Sequence, residues 1–147
     1  IDTVRPWVPR LEAMDPNDPQ QMQPAVVARA LVMTADGRSR EGAALIESYL
    51  AQNPRSLELH YYLGLLRERA GASDDAMASY RIAAQAANVL GPNPAVMAAR
   101  LGLGRLLQQK GDVAGANEYF DALLKQWDKA DADFYMLQVV KDARRGG

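Results

Sequence analysis

The chain has 147 residues, of which 48% are hydrophobic and 24% charged, so it can bury the core of one domain or of a short repeat array. Its 17 basic and 18 acidic residues give a net charge of −1, which argues against nucleic acid as the main partner. With no cysteine and one histidine, disulfides, zinc-thiolate sites and thiol catalysis are excluded, and we expect no metal or other cofactor. The compartment stays open between cytoplasm and periplasm.

The start of the chain differs in composition from the rest. Five of the eight prolines fall within the first 24 residues. Because proline lacks a backbone donor and breaks helix interiors, we expect a proline-rich leader or N-terminal cap over residues 1–22. The sequence begins with Ile1 instead of methionine, which is typical of a processed protein or of a piece of a longer one.

The remainder of the chain has the residue spacing of α-helices. Turn signals such as Gly37, Gly71 and Gly111 separate segments of about 12 to 17 residues, a helical length. Within these segments, apolar residues recur three and four positions apart and so form one helical face. We therefore predict an all-α fold with seven helices. The expected ranges are 23–35, 39–52, 57–70, 74–89, 94–110, 113–128 and 132–144.

The longest uncharged run, residues 82–99, raises the question of a membrane span. It contains the sequence Gly-Pro-Asn-Pro at positions 91–94, which a spanning helix would not tolerate near its middle. We expect no direct membrane insertion.

Two stretches of the chain share a leucine-glycine pair followed by a glycine, an alanine and an aromatic residue at identical offsets. These residues are Leu63, Gly64, Gly71, Ala76 and Tyr80 in one stretch, and Leu103, Gly104, Gly111, Ala116 and Phe120 in the other. A more divergent copy lies 34 residues before the first and contains Ala30, Gly37, Gly42 and Ile46. The chain therefore contains an internal repeat.

This pattern resembles the tetratricopeptide repeat family, whose unit is a helical hairpin of 34 residues. The resemblance implies a right-handed α-solenoid of antiparallel helix pairs, with repeats at 23–56, 57–90 and 97–130 and a capping helix with a tail at 131–147. The chain departs from the family pattern in places, for example at His60, where the family has tryptophan.

The small residues of the repeat have a physical role. We expect Gly64 to face Ala76 across its hairpin, so that two small residues let the helices approach closely. The same arrangement is expected in the following repeat. The aromatic residue of the unit, Tyr80, is expected to pack against the next repeat.

No group of residues forms a catalytic constellation, and we expect the chain itself not to be an enzyme. The pair Gly102 and Gly104 lacks the third glycine of a dinucleotide-binding loop, which favours helix packing instead. Asp74 and Asp75 suit the acidic first turn of a helix better than a metal site.

The resemblance also implies a binding surface, because in this family the first helix of each repeat lines a concave groove. By motif position, the candidate groove residues are Leu31, Thr34, Glu58, Tyr61, Leu65, Glu68, Arg69, Leu101, Arg105, Gln108 and Gln109. An apolar floor with a polar rim suits a peptide with hydrophobic anchors. The carboxylate clamp of the family's chaperone-tail adaptors is absent, since Val27 stands at its lysine position.

Two functions follow from this surface. One is a non-enzymatic protein-protein interaction scaffold that binds a peptide or protein segment in the groove. The alternative is a structural spacer or self-association module of a larger bacterial-type multidomain protein. In that case its own N-terminal leader or another copy of the chain would fill the groove, and any catalysis would lie in a neighbouring domain.

Overall fold

The computed structural model describes residues 6, 9, 10, 13, 19–85, 93–127 and 135–146. Over the three long ranges the chain forms seven α-helices and no β-strand, which confirms the predicted all-α fold. The helices are α1 (Pro19–Ala35), α2 (Ser39–Leu50), α3 (Leu57–Arg69), α4 (Ser73–Ala84), α5 (Pro94–Gln109), α6 (Val113–Gln126) and α7 (Tyr135–Arg145). No helix in these ranges is long and apolar enough to cross a membrane.

The observed helix bounds follow the predicted turns. At the N-terminal side, α1 begins four residues before the expected start and includes Pro24. Pro24 lies in the second turn, so its missing donor removes only one hydrogen bond near the end of the helix. Helix α4 ends at Ala84, with Gln85 already in a turn, and α6 ends at Gln126, so both end before the predicted bounds of 89 and 128. The predicted start at residue 132 lies outside the described residues, as does most of the expected leader.

The first helix of each repeat ends in the same type of turn. Gly37, Gly71 and Gly111 have φ angles of 80°, 79° and 84°, a left-handed conformation that glycine adopts without steric cost. In the last of these turns, the Gly111 N–H donates to the Gln108 carbonyl and the next N–H donates to the Leu107 carbonyl, both at 3.0 Å. This Schellman pattern reverses the chain and brings the second helix back along the first.

The helices stack in chain order into a curved array. Each helix contacts the next, and the first helices of neighbouring repeats also contact each other, α1 with α3 and α3 with α5. Comparable contacts between the second helices α2, α4 and α6 are not found in the described part of the chain. The array is therefore tighter on the side of α1, α3 and α5, and this side is concave.

The core consists of two hydrophobic clusters. The first joins the first repeat to α3 through buried residues such as Ile46 and Leu59. The second joins α4, α5, α6 and α7 through Tyr80, Phe120 and Val140. Because α3 packs against both, it links the two clusters into one array.

The atoms nearest to the glycines of the leucine-glycine pairs belong to aromatic rings, not to the alanines expected opposite them. A Cβ atom on Gly64 would lie 2.5 Å from Cδ1 of Tyr80, and one on Gly104 would lie 2.5 Å from Cε1 of Phe120. The missing side chain thus lets a ring lie directly against the backbone of the first helix. Tyr80 also reaches the next repeat, because a Cβ on Gly102 would lie 2.8 Å from its Cε2. The predicted packing of Tyr80 between repeats is confirmed.

The last helix continues the register of the repeats. Leu137 and Val140 of α7 are buried and lie 34 positions after the buried residues Leu103 and Leu106. Where a further glycine would be needed to receive another ring, α7 has the exposed Gln138. In sequence register, helix α7 therefore corresponds to the first helix of a fourth repeat, and it has a polar side chain at that position.

Candidate functional site

The concave side formed by α1, α3 and α5 contains the candidate groove residues. Nine of the eleven have side chains that are at least partly exposed. The other two, Thr34 and Leu101, are each 8% exposed and offer almost no surface to a partner. Thr34 is buried where Gly42 brings α2 close to α1, and its hydroxyl is satisfied there by donating to the Ala30 carbonyl at 3.0 Å. Leu101 belongs to the second hydrophobic cluster.

Glu68 joins three helices in a polar network on this side. Its Oε1 lies 2.8 Å from Nη2 of Arg105 on α5, and its Oε2 accepts a hydrogen bond of 2.8 Å from the Tyr80 hydroxyl on α4. Both carboxylate oxygens are therefore used within the protein. Glu68 and Arg105 thus connect the second and third repeats by an ion pair.

The tyrosines around this network remain neutral at physiological pH. Burial raises the pKa of Tyr80 above its ordinary value of 10, and the neighbouring Glu68 carboxylate raises it further. Burial also raises the pKa of Tyr61, with smaller contributions from Tyr62 and Glu68 and an opposing one from Arg105. These phenols therefore act as hydrogen-bond donors and ring surfaces, not as acids.

A groove opens between α3 and the start of α5. It has a volume of about 490 Å³ and is lined by Glu58, Tyr61, Tyr62, residues 93–95 and Ala98. The two tyrosine rings have centroids 5.0 Å apart and planes inclined at 55°, and Tyr61 stacks on Tyr80 with centroids 6.1 Å apart. This volume lies within the range of pockets that hold small ligands or single side chains.

One rim of the groove is formed by Glu58. The Gln23 Nε2 atom on α1 donates to Glu58 Oε2 at 2.9 Å, and the Ser56 hydroxyl donates to Gln23 Oε1 at 3.4 Å. The opposite rim is the N-terminus of α5, where Asn93 Oδ1 accepts the N–H groups of Ala95 and Val96 at 2.9 and 3.4 Å. Both rims are thus held in place by hydrogen bonds between or within helices.

The predicted residues do not form a single pocket. Glu58 and Tyr61 lie in the groove, whereas Gln108 donates from Nε2 to the Ala143 carbonyl at 2.9 Å and so holds α7. Leu31 packs against the first hydrophobic cluster. Four further residues lie at other points of α3 and α5: Leu65, Glu68, Arg69 and Gln109.

The sequence pattern did not indicate several lining residues of the groove. Tyr62 stands beside the predicted Tyr61, but its motif position did not indicate exposure. Residues 93–95 lie more than 30 positions from Tyr61 in the chain, and only the stacking of α5 on α3 brings them together. Within the described residues, no group of three histidine, aspartate or glutamate side chains could hold a metal ion.

The fold and the concave side define the chain as an α-solenoid of helical hairpins. Comparison with known sequences agrees, because the tetratricopeptide repeat matches residues 28–90 and 82–133, well over half of the chain. The chain belongs to the tetratricopeptide repeat family. Repeats of this family act in general as scaffolds for protein interaction, and their fold is typically non-catalytic.

One related protein is a probable biofilm formation methyltransferase, WspC, of Pseudomonas putida. It is 35% identical to this chain over 80 residues. The match covers 54% of this chain and 18% of the relative, so the chain corresponds to less than a fifth of that protein's length.

Proposed function

We propose that the chain is an interaction module that binds an extended segment of a partner protein along its concave side. One side chain of that segment would enter the groove beside Tyr61 and Tyr62. The groove is the observation that carries the proposal, because two half-buried aromatic rings border about 490 Å³ of open space where α3 and α5 meet.

The surface next to the groove supports an extended ligand. Tyr61, Leu65 and Arg69 are spaced by four residues, so they lie along one face of α3. Tyrosine contributes a large and rigid contact area at low conformational cost, and aromatic residues are frequent among those that dominate binding energy. The ligand would therefore contact an aromatic pocket first, then an apolar strip, then a basic rim.

Selection from a displayed library of random twelve-residue peptides tests this proposal. The unaltered chain alone is the immobilised target, and each enriched peptide is then measured on the Ala98→Arg variant, whose new side chain would fill the groove from a partly exposed position of α5. Enriched peptides should bind the variant at least about ten-fold more weakly, a loss of about 1.4 kcal/mol. The matched control is Ala122→Arg on an exposed position of α6, which should leave binding unchanged. Equal binding to all three proteins, or no enrichment, would contradict the proposal.

A second candidate function is a module that serves a larger protein. The observation in its favour is that the matched segment makes up only 18% of a relative named as a methyltransferase. In this role the groove would hold the chain's own leader or a second copy. Light scattering over a wide concentration range should then detect a dimer that Ala98→Arg abolishes. If the leader is the occupant, removal of residues 1–18 should strengthen peptide binding to a monomer.

A further inference from the structure

We infer that the groove at Tyr61 and Tyr62 selects a cationic side chain, arginine or lysine, of the bound segment. This inference rests on the proposed function, because it names the chemistry of the ligand that the same groove takes.

The charge of the groove is the first argument. Among the described residues that line it, Glu58 has the one formal charge. Its carboxylate is held by the amide of Gln23 at 2.9 Å. Because an amide is neutral, this hydrogen bond orients the carboxylate but leaves its negative charge in place. A partner side chain of positive charge would therefore find a fixed counter-ion at the rim.

The aromatic rings are the second argument. The faces of tyrosine rings attract cations through their quadrupole, and the rings of Tyr61 and Tyr62, with centroids 5.0 Å apart and planes inclined at 55°, both border the groove. Burial, and to a smaller extent the Glu58 carboxylate, raise the pKa of Tyr62, so this phenol stays neutral beside the groove. Carboxylate and rings thus act on the same volume.

Neighbouring positive charges do not cancel this preference. Arg105 lies close enough to affect Tyr61, but its guanidinium is paired with Glu68 at 2.8 Å. Arg55, in the turn before α3, lines a separate surface cavity together with Gln23. The positive end of the α5 dipole also borders the groove, but it amounts to about half an elementary charge, less than the full charge of the Glu58 carboxylate. An acidic ligand side chain would be repelled by the carboxylate of Glu58, and an apolar one would leave that carboxylate without a counter-ion.

Peptides from the selection described above test this inference directly. Each enriched peptide is synthesised twice, once with its basic residue and once with citrulline, which keeps the shape of arginine but has no charge. Both forms are titrated by calorimetry against the chain, the Glu58→Gln variant and the Glu118→Gln variant. Glutamine at position 58 keeps an acceptor oxygen for Gln23, and Glu118 is an exposed acid on α6 that serves as the matched control.

We expect the basic peptide to bind at least about ten-fold more tightly than the citrulline peptide, and Glu58→Gln to remove most of that difference. Glu118→Gln should preserve it. Because the citrulline peptide is tested on the unaltered protein, misfolding of a variant cannot explain the loss. The same titrations are repeated on the chain without residues 1–18. Tighter peptide binding to this shortened chain would show that the leader, which contains Arg5 and Arg10, competes for the groove.

The possible failures are distinct. Peptides that are sensitive to Ala98→Arg but contain no basic residue, or bind equally well as citrulline forms, would overturn the cation preference and leave the interaction module standing. Peptides that bind with no sensitivity to Ala98→Arg would overturn both.

Discussion

The first repeat and the two that follow close their hairpins with different pairs of side chains. In the second and third repeats an aromatic ring, that of Tyr80 or Phe120, lies against a glycine of the first helix. In the first repeat, Ile46 stands at the position of the ring and Ala30 at the position of the glycine, and both are fully buried. The size of the residue on one helix thus matches the size of the residue on the other.

The closest approach of the two helices also moves between repeats. In the first repeat the glycine is on the second helix, where a Cβ atom on Gly42 would lie 2.7 Å from the Ala30 carbonyl oxygen. The corresponding position in the second repeat is Ala76. The repeat therefore requires small residues opposite large ones but does not require glycine at one fixed place.

The largest effect is expected from Gly104→Ala in the third repeat. Alanine normally stabilises a helix interior relative to glycine by about 0.5–1 kcal/mol. Here the new methyl group would lie 2.5 Å from the Phe120 ring, so we expect a net loss of about 2 kcal/mol in the free energy of unfolding. Chemical denaturation followed by circular dichroism measures it.

Phe120→Ile provides the control. Combined with Gly104→Ala, it converts this pair to the alanine and isoleucine of the first repeat. The double variant should lose less free energy of unfolding than the sum of the two single losses, by about 1 kcal/mol or more. If the two substitutions are additive, the clash between residue 104 and the ring is not the cause of the loss.

In the first repeat the reverse substitution at this position, alanine to glycine, should be the destabilising one. Ala30→Gly removes a fully buried methyl group and loosens a helix interior, so we expect a loss of about 1.5 kcal/mol. Adding Ile46→Phe should recover part of it, since a ring could then lie against the new glycine. A neutral or stabilising Ala30→Gly, measured in the same denaturation assay, would show that the first repeat does not share this packing rule.

Much of the fold could be predicted from the sequence because its determinants are local. The left-handed glycines at 37, 71 and 111 recur at the helix ends, and the apolar spacing between them indicates helices directly. The partner of Gly64 could not be predicted in this way. Ala76 and Tyr80 are one turn apart on the same face of α4, so the pattern allowed either, and only the packing decides for the ring.

The candidate site was predictable to a smaller extent. Motif positions led to Glu58 and Tyr61, which line the groove, but also to Thr34 and Leu101, which are buried. A motif position indicates which side of a helix faces the concave surface. It does not indicate how closely the neighbouring helix approaches, and that distance determines exposure.

The smallest effect is expected from the hydroxyl group of Tyr80, which Phe120 of the third repeat lacks. Tyr80→Phe keeps the ring but removes the hydrogen bond to Glu68, which should cost about 1 kcal/mol at neutral pH. The pKa of Tyr80 is raised in the folded protein, whereas an unfolded tyrosine ionises near 10. Above that pH the unfolded chain releases a proton that the folded chain retains, so the stability of the unaltered protein falls as pH rises.

The phenylalanine variant lacks this proton, so its disadvantage should shrink above pH 10 and then reverse. Ile46→Val in the first repeat is the matched control, because it also costs about 1 kcal/mol but involves no titrating group. Its effect should be the same at every pH, since stability loss from a smaller side chain is independent of protons. A constant difference between Tyr80→Phe and the unaltered protein from pH 7 to above pH 10 would show that the buried phenol is not what makes the second repeat sensitive to alkali.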